Sequence, residues 1–162
     1  MNSSYEIPKA TCIGHVHLKV ADIDRSLAFY QGVLGFDLVH RMPEAAFISA
    51  GGYHHHIALN TWQSKDAPPP PENTTGLFHL AILYPTRVDL ANALQRVLDY
   101  GMKLTGASDH GVSEALYLRD PDDNGVELYR DRPRSEWPKD SNGELIFTTK
   151  PLKVDDLLAE RW

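Results

Sequence analysis

From His15 to Val20 the side chains alternate, with Val16, Leu18 and Val20 on one face and His15, His17 and Lys19 on the other, the period-two pattern of a half-buried strand. The period then lengthens. Asp22 or Asp24 caps a helix in which Ile23, Leu27, Tyr30 and Leu34 recur on one stripe, and Gly35 ends it. Three short strands are predicted next, at Phe36 to Arg41, Ala46 to Ser49 and His55 to Asn60, with Gly51-Gly52 marking the last turn. The order is β-α-β-β-β.

A stretch rich in proline, Ala67 to Glu72, cannot join a sheet ladder and separates this unit from the next. The order then repeats. His79 to Tyr84 reads as a strand, and Thr86 with Asp89 resembles a capping box before a helix carrying Leu90, Leu94, Val97 and Leu98 on one stripe. Gly101 closes that helix. Leu104 to Ser108, Ala115 to Arg119 and Gly125 to Arg130 supply three more strands, the last two joined by the turn Asp120-Pro121-Asp122-Asp123-Asn124-Gly125. Setting His15 on His79 places Leu18 on Ile82 and Val20 on Tyr84, a repeat weak in identity and clear in element order.

The expected organisation is one domain over 1–162: a βαβββ unit at 11–61, a linker at 62–76, a second βαβββ unit at 77–130 and a tail at 131–162. Each unit has one helix to cover one face of its sheet, so the fold class is α+β, two units pairing into a cleft-shaped open barrel. The pairing occurs within one chain or by exchange between subunits. The tail, with Arg132 to Pro138 and a short helix over Val154 to Trp162, is read as packing or dimer contact.

Composition narrows the function. A chain of 162 residues, 42% hydrophobic, buries a core without disulfides, and the lone Cys12 forms no intrachain bridge. No stretch reads as a secretion signal or a membrane span, so a soluble cytoplasmic protein with no membrane partner is expected. Sixteen Lys and Arg against 22 Asp and Glu give a net charge of −6 and no basic stripe, which argues against nucleic acid. Eight histidines, three of them consecutive at His54-His55-His56, point to metal or acid–base chemistry.

Strand alternation sorts these residues. His15 and His17 face the cleft, and His79 occupies the place of His15 in the second unit. Burying Val126 and Leu128 turns Glu127 and Tyr129 to the cleft, where a carboxylate requires a cation. Two histidines and one carboxylate on separate strands are the ligand set that holds iron(II) on one face and leaves other positions open. The turn before Gly125 places Tyr117 opposite Glu127. Singly, each residue is explained as a histidine bonded to backbone or a tyrosine filling core; at repeat-equivalent positions, together, they favour a metal site at His15, His79 and Glu127. In the consecutive histidines, alternation sends His54, His56 and Ala58 toward the cleft and His55 away, and a solvated turn accounts for them equally well.

The run His15-x-x-Leu18-x-Val20-x-Asp22 with Ser26 and Phe29-Tyr30, followed by Asp120-Pro121-Asp122-x-Asn124-Gly125-x-Glu127, resembles the vicinal oxygen chelate superfamily, which holds glyoxalase I, extradiol dioxygenases, fosfomycin-resistance enzymes and bleomycin-binding proteins. The resemblance covers Thr11 to about Arg130 and puts the family's metal ligands on His15, His79 and Glu127. A further glutamate ligand of glyoxalase I falls on Ala58, which argues against that chemistry. The segment His55 to Leu59 is similar to the extradiol segment whose acid–base histidine would be His55, contrary to alternation, and a bulge near His55 reconciles the two. The family's tyrosine near the metal falls on Tyr117, and His110 matches a position lining the substrate pocket. Asp109 to Tyr117 is especially like the catechol 2,3-dioxygenase branch.

The resemblance therefore implies an extradiol dioxygenase that uses iron(II), or manganese(II) or another divalent ion, acts with dioxygen on a catechol-type aromatic substrate, and forms a homodimer. His55 and Tyr117 would move protons, and His17, His54, Ala58 and His110 would face the substrate. Two departures stand out: enzymes of this type usually carry two paired-unit domains, and Asp123 stands where the family turn commonly has glycine. The alternatives are a glyoxalase-, epimerase- or lyase-like enzyme using the ion as a Lewis acid, and a non-catalytic protein that sequesters a small molecule. Against the latter stands the complete ligand set, which family binders commonly lack.

Overall fold

The structure, a computed structural model, describes residues 5–162. The first unit forms β1 (Val16–Lys19), α1 (Ile23–Leu27), β2 (Asp37–Met42), β3 (Ala45–Ser49) and β4 (Ile57–Asn60). The second forms β5 (Leu80–Leu83), α2 (Arg87–Asp99), β6 (Gly106–Asp109), β7 (Ser113–Arg119) and β8 (Gly125–Asp131), followed by β9 (Lys150–Pro151) and α3 (Val154–Leu158). The sheets are ordered β1-β4-β3-β2 and β5-β8-β7-β6-β9. In each the first strand lies parallel to the fourth and the rest pair antiparallel, so the repeat read from the sequence is a repeat of topology.

Local chemistry explains the boundaries. Asp22, not Asp24, is the cap: its Oδ1 accepts from the Arg25 amide at 2.9 Å, while Asp24 lies in the first turn and pairs with Arg41. After Leu27 the helix widens into a π-helical segment, Ala28–Val33, marked by the Leu34 amide donating to the Phe29 carbonyl at 3.0 Å. The wide turn buries Phe29 and Val33 beside Tyr30, while Leu34 of the expected stripe stays partly exposed. Gly35 then takes a φ of 86°, which only a residue without a side chain adopts freely. The second helix starts as expected, with Thr86 Oγ1 accepting from the Asp89 amide at 3.1 Å. Its buried stripe is Leu90, Ala91, Ala93, Leu94 and Val97. Leu98, expected on that stripe, is 37% exposed because its neighbour Val97 takes the core-facing position.

Two expectations are corrected. β4 begins at Ile57, so His54, His55 and His56 lie in the turn before it and strand alternation does not govern them. The C-terminal helix ends at Leu158, and a short strand, β9, joins the edge of β6 although none was expected in the tail. Leu157 is fully buried and α3 packs on α2, which is the packing role. Beneath this, the buried carboxylate of Glu114 is held by Arg87 and Arg130 at 2.8 Å each and by Arg132 at 3.3 Å, and Arg87 also pairs with Glu160.

One continuous core joins the units, with Leu18, Val20, Tyr30, Ile48 and Leu59 from the first and Leu90, Leu94, Leu116 and Leu128 from the second. Polar contacts seal it. The Tyr30 hydroxyl donates to Asp120 Oδ2 at 2.9 Å, the Ala21 amide to Asp122 Oδ1 at 2.9 Å, and the Ser26 hydroxyl to Asp122 Oδ2 at 3.3 Å. Arg96 donates to the carbonyls of Val33 and Gly32 at 2.6 and 2.7 Å. The turn that leads to Glu127 is therefore bolted to the first unit's helical segment. Among the described residues no helix is long and apolar enough to cross a membrane.

Candidate active site

β5 and β8 run parallel with Leu80 opposite Val126 and Ala81 opposite Glu127, which sets His79, one residue before β5, beside the Glu127 side chain. His79 Nε2 and Glu127 Oε2 are 2.9 Å apart. The approach depends on Gly125: a Cβ there would lie 2.0 Å from the Phe78 carbonyl oxygen and 3.0 Å from the His79 Cβ. Sequence reasoning placed Gly125 where the turn meets the strand and gave it no part in the site; a glycine two places before the carboxylate within a strand is the signal of such a backbone approach.

β7 brings Tyr117 into register with Glu127, as expected from the turn between them. Tyr117 Oη stands 3.4 Å from Glu127 Oε1 and 2.7 Å from His110 Nε2, and His110 Nδ1 is 2.9 Å from the Thr148 carbonyl oxygen. Burial, then the negative charge of Glu127, pushes the Tyr117 hydroxyl up to about 12, so it keeps its proton at neutral pH. His79 and Tyr117 line a cavity of about 300 Å³ together with Phe78, Thr105 and Gly125. Thr148 was missed because it lies in the tail, and nothing in its local pattern marks it.

The other histidines gather on the first unit. His15, exposed just before β1, places its ring centroid 4.4 Å from that of His55, which in turn lies 5.3 Å from Phe47. His54 Nδ1 is 2.8 Å from His55 Nδ1. Partial burial, then His15, His54, His17 and His56, lowers the His55 imidazole below the ordinary range, and burial followed by His15 lowers His17. His17 meets the edge of Trp62 at 5.4 Å, and its register partner Ala58 is fully buried. His56 is occupied structurally, its Nδ1 accepting from the Ala50 amide at 3.3 Å and lying 3.2 Å from Ser49 Oγ. Phe47 and Trp62, which pattern reading did not single out, supply the aromatic surface here. A second cavity of about 530 Å³ lies between the units, lined by His15, His56, Val16, Ile57, Ile82 and Tyr84.

Thus the structure brings together His79, Glu127, Tyr117 and His110, and separately His15, His17, His54 and His55. Among the described residues no three His, Cys, Asp or Glu side chains form a ready-made ion cage. The pair nevertheless fits a cation: two donors about 2.1 Å from one ion at right angles stand about 3.0 Å apart, close to the separation found. His79 Nδ1 is buried without a partner.

Comparison with known proteins agrees with this topology. The profile of the glyoxalase/bleomycin resistance protein/dioxygenase superfamily matches residues 12–128. Catechol-2,3-dioxygenase of Bacillus subtilis is 41% identical over 155 residues, 95% of this chain and 53% of that protein. Biphenyl-2,3-diol 1,2-dioxygenase 3 of Rhodococcus globerulus is 33% identical over 119 residues, 74% of this chain and 63% of that protein. The chain thus spans between half and two thirds of the length of these relatives. Among solved structures, a glyoxalase/dioxygenase from Nostoc punctiforme superposes with a TM-score of 0.64 at 19% identity, covering 82% of this chain and 99% of that one. Lactoylglutathione lyase from Agrobacterium tumefaciens gives 0.59 at 21% identity, covering 76% and 96%, a likeness of fold. On sequence and on architecture, the chain belongs to the glyoxalase/bleomycin resistance protein/dioxygenase superfamily.

Proposed function

We propose that this protein is an extradiol dioxygenase that opens a catechol-type ring, with a divalent ion, iron(II) on this reading, held by His79, Glu127 and His15. The observation that carries the proposal is the convergence of His79 Nε2 and Glu127 Oε2 at 2.9 Å with Tyr117 in register beside them. The 41% identity to a catechol-2,3-dioxygenase supports the choice of substrate class. His15, just before β1 and the repeat equivalent of His79, would complete the ligand set.

The bound ion would supply adjacent positions for vicinal oxygens and the one-electron chemistry that dioxygen requires. The rest falls to the chain. Glu127 offsets cationic charge. His55, whose imidazole is held below the usual range and so favours the neutral form, takes a proton from the catechol. Tyr117 keeps its hydroxyl proton at working pH and hydrogen-bonds oxygen atoms of the reacting ring. His17 and His54 flank the ring together with Phe47 and Trp62, while Ala58, expected there, is fully buried and offers it no surface, and His110 acts through Tyr117 because both its nitrogens are engaged.

The test is dioxygen uptake and ring-fission absorbance, recorded over a panel of substituted catechols after anaerobic loading with iron(II). Uptake that requires a catechol and vanishes in Glu127→Ala supports the proposal. Silence from protein that holds one ion per chain removes ring cleavage of those substrates and leaves oxygen-independent chemistry at the same residues.

A further inference from the structure

The tail lies beyond the span that the superfamily profile matches, yet it folds back onto the site. β9 pairs with the edge of β6, and the Leu152 amide donates to the Ala107 carbonyl at 3.3 Å. One turn of backbone away, Thr148 is pinned twice to the end of β6: its amide donates to the His110 carbonyl at 3.1 Å and its hydroxyl to the Asp109 carbonyl at 3.3 Å. Gly111, with a φ of 77°, lets this strap lie close, since a Cβ there would come within 3.0 Å of Pro138 Cγ and 3.3 Å of Thr148 Oγ1.

These contacts hold the Thr148 carbonyl oxygen 2.9 Å from His110 Nδ1. A carbonyl only accepts, so Nδ1 carries the hydrogen, and in the neutral ring Nε2 is then a bare lone pair. That lone pair lies 2.7 Å from Tyr117 Oη, whereas Glu127 Oε1 lies at 3.4 Å. Tyr117 has one proton for two acceptors, and hydrogen bonds weaken steeply over that difference in distance, so the proton goes to His110.

We propose that Thr148 is a positioning residue: its main-chain carbonyl, delivered by the strap, fixes His110 as the Nδ1–H tautomer and so turns the Tyr117 hydroxyl proton toward His110 and away from Glu127. The Glu127 carboxylate keeps its lone pairs for a cation. The Tyr117 oxygen faces the cleft as an acceptor, suited to a ligand that presents a hydroxyl group. The inference uses only hydrogen bonds within the chain, so it stands or falls apart from the ring-cleavage reading.

The experiment is two-bond proton–nitrogen correlation NMR on the nitrogen-15-labelled 162-residue chain without added metal, at a pH where the ring is neutral, with His110→Gln identifying the signals. Imidazole free in water prefers the Nε2–H form. The expected spectrum has His110 Nδ1 protonated and Nε2 bare, shifting toward the Nε2–H form in Thr148→Pro, which lacks the amide and hydroxyl anchors, and in Gly111→Ala, whose methyl group meets Pro138. An Nε2–H ring in the unaltered chain overturns the proposal without any variant, and so does an Nδ1–H ring that persists in both variants.

Discussion

Gly125 passes so close to Phe78 that a single methyl group on it would sit 2.0 Å from the Phe78 carbonyl oxygen. The contact is between backbones, so no side chain can rotate to relieve it. β8 therefore lies against the segment carrying His79 only because residue 125 is glycine, and the separation of His79 from Glu127 follows from that. Gly125→Ala is predicted to cost about 1–3 kcal/mol in denaturant unfolding and to weaken metal binding by roughly 10- to 100-fold, as misplacing a ligand's support does. Unchanged affinity in a folded variant would detach Gly125 from the site.

Asp123 occupies the left-handed region at a φ of 66°, in the turn leading to Glu127. Aspartate tolerates this better than most residues, and its ion pair with Arg119 is exposed and long at 3.9 Å. Asp123→Gly is predicted to raise the unfolding midpoint by an amount equivalent to about 0.5–1 kcal/mol, with activity unchanged. A lower midpoint would show that the side chain supports the turn.

Glu114 is buried among Arg87, Arg130 and Arg132, and neutralising it leaves three cations around a partner without charge. Glu114→Gln is predicted to destabilise by about 3–5 kcal/mol. Loss of helical signal in a thermal melt, compared with the unaltered chain, measures it; a loss below about 1 kcal/mol would mean that the arginines are solvated.

Tyr117 has its ionisation raised from 10 to about 12. A group whose folded value is raised contributes stability that is fully present below its unfolded value and lost as pH rises through the folded one, here between 10 and about 12. Ultraviolet titration of the metal-free chain is predicted to lose a phenolate component near pH 12 in Tyr117→Phe. A missing component near pH 10 would place Tyr117 in solvent.

The consecutive histidines are predicted to separate by role. His56→Ala removes the acceptor of the Ala50 amide and should cost about 1 kcal/mol while leaving turnover intact, whereas His55→Ala should keep the metal and lower kcat at least about 100-fold. Steady-state kinetics on metal-loaded variants reads both, and equal losses in the two would leave His55 without a distinct part.

Elements with strong periodicity were legible in the chain. The stripe of α2, the caps Asp22 and Thr86, and the register of Tyr117 with Glu127 all follow from local patterns that the fold leaves in place. What escaped depends on contacts distant in sequence. Nothing near Phe29 announces that the helix will widen there and bury it, and nothing near Asp120 says that its partner is Tyr30 of the other unit. Alternation could not sort His54, His55 and His56 because a period-two argument requires a strand, and β4 begins only at Ile57. Thr148 acts through its carbonyl, which every residue carries, so its side-chain type gives no sign of that contact.

The most direct test of the account supplies isotopically labelled dioxygen to the iron(II)-loaded chain in the presence of a catechol that it consumes. Ring opening next to the diol places both oxygen atoms of one dioxygen molecule in the product, and mass spectrometry should find both labels there, with no product from Glu127→Ala. A product without label, or a consumed substrate whose ring is intact, would contradict ring cleavage at His15, His79 and Glu127.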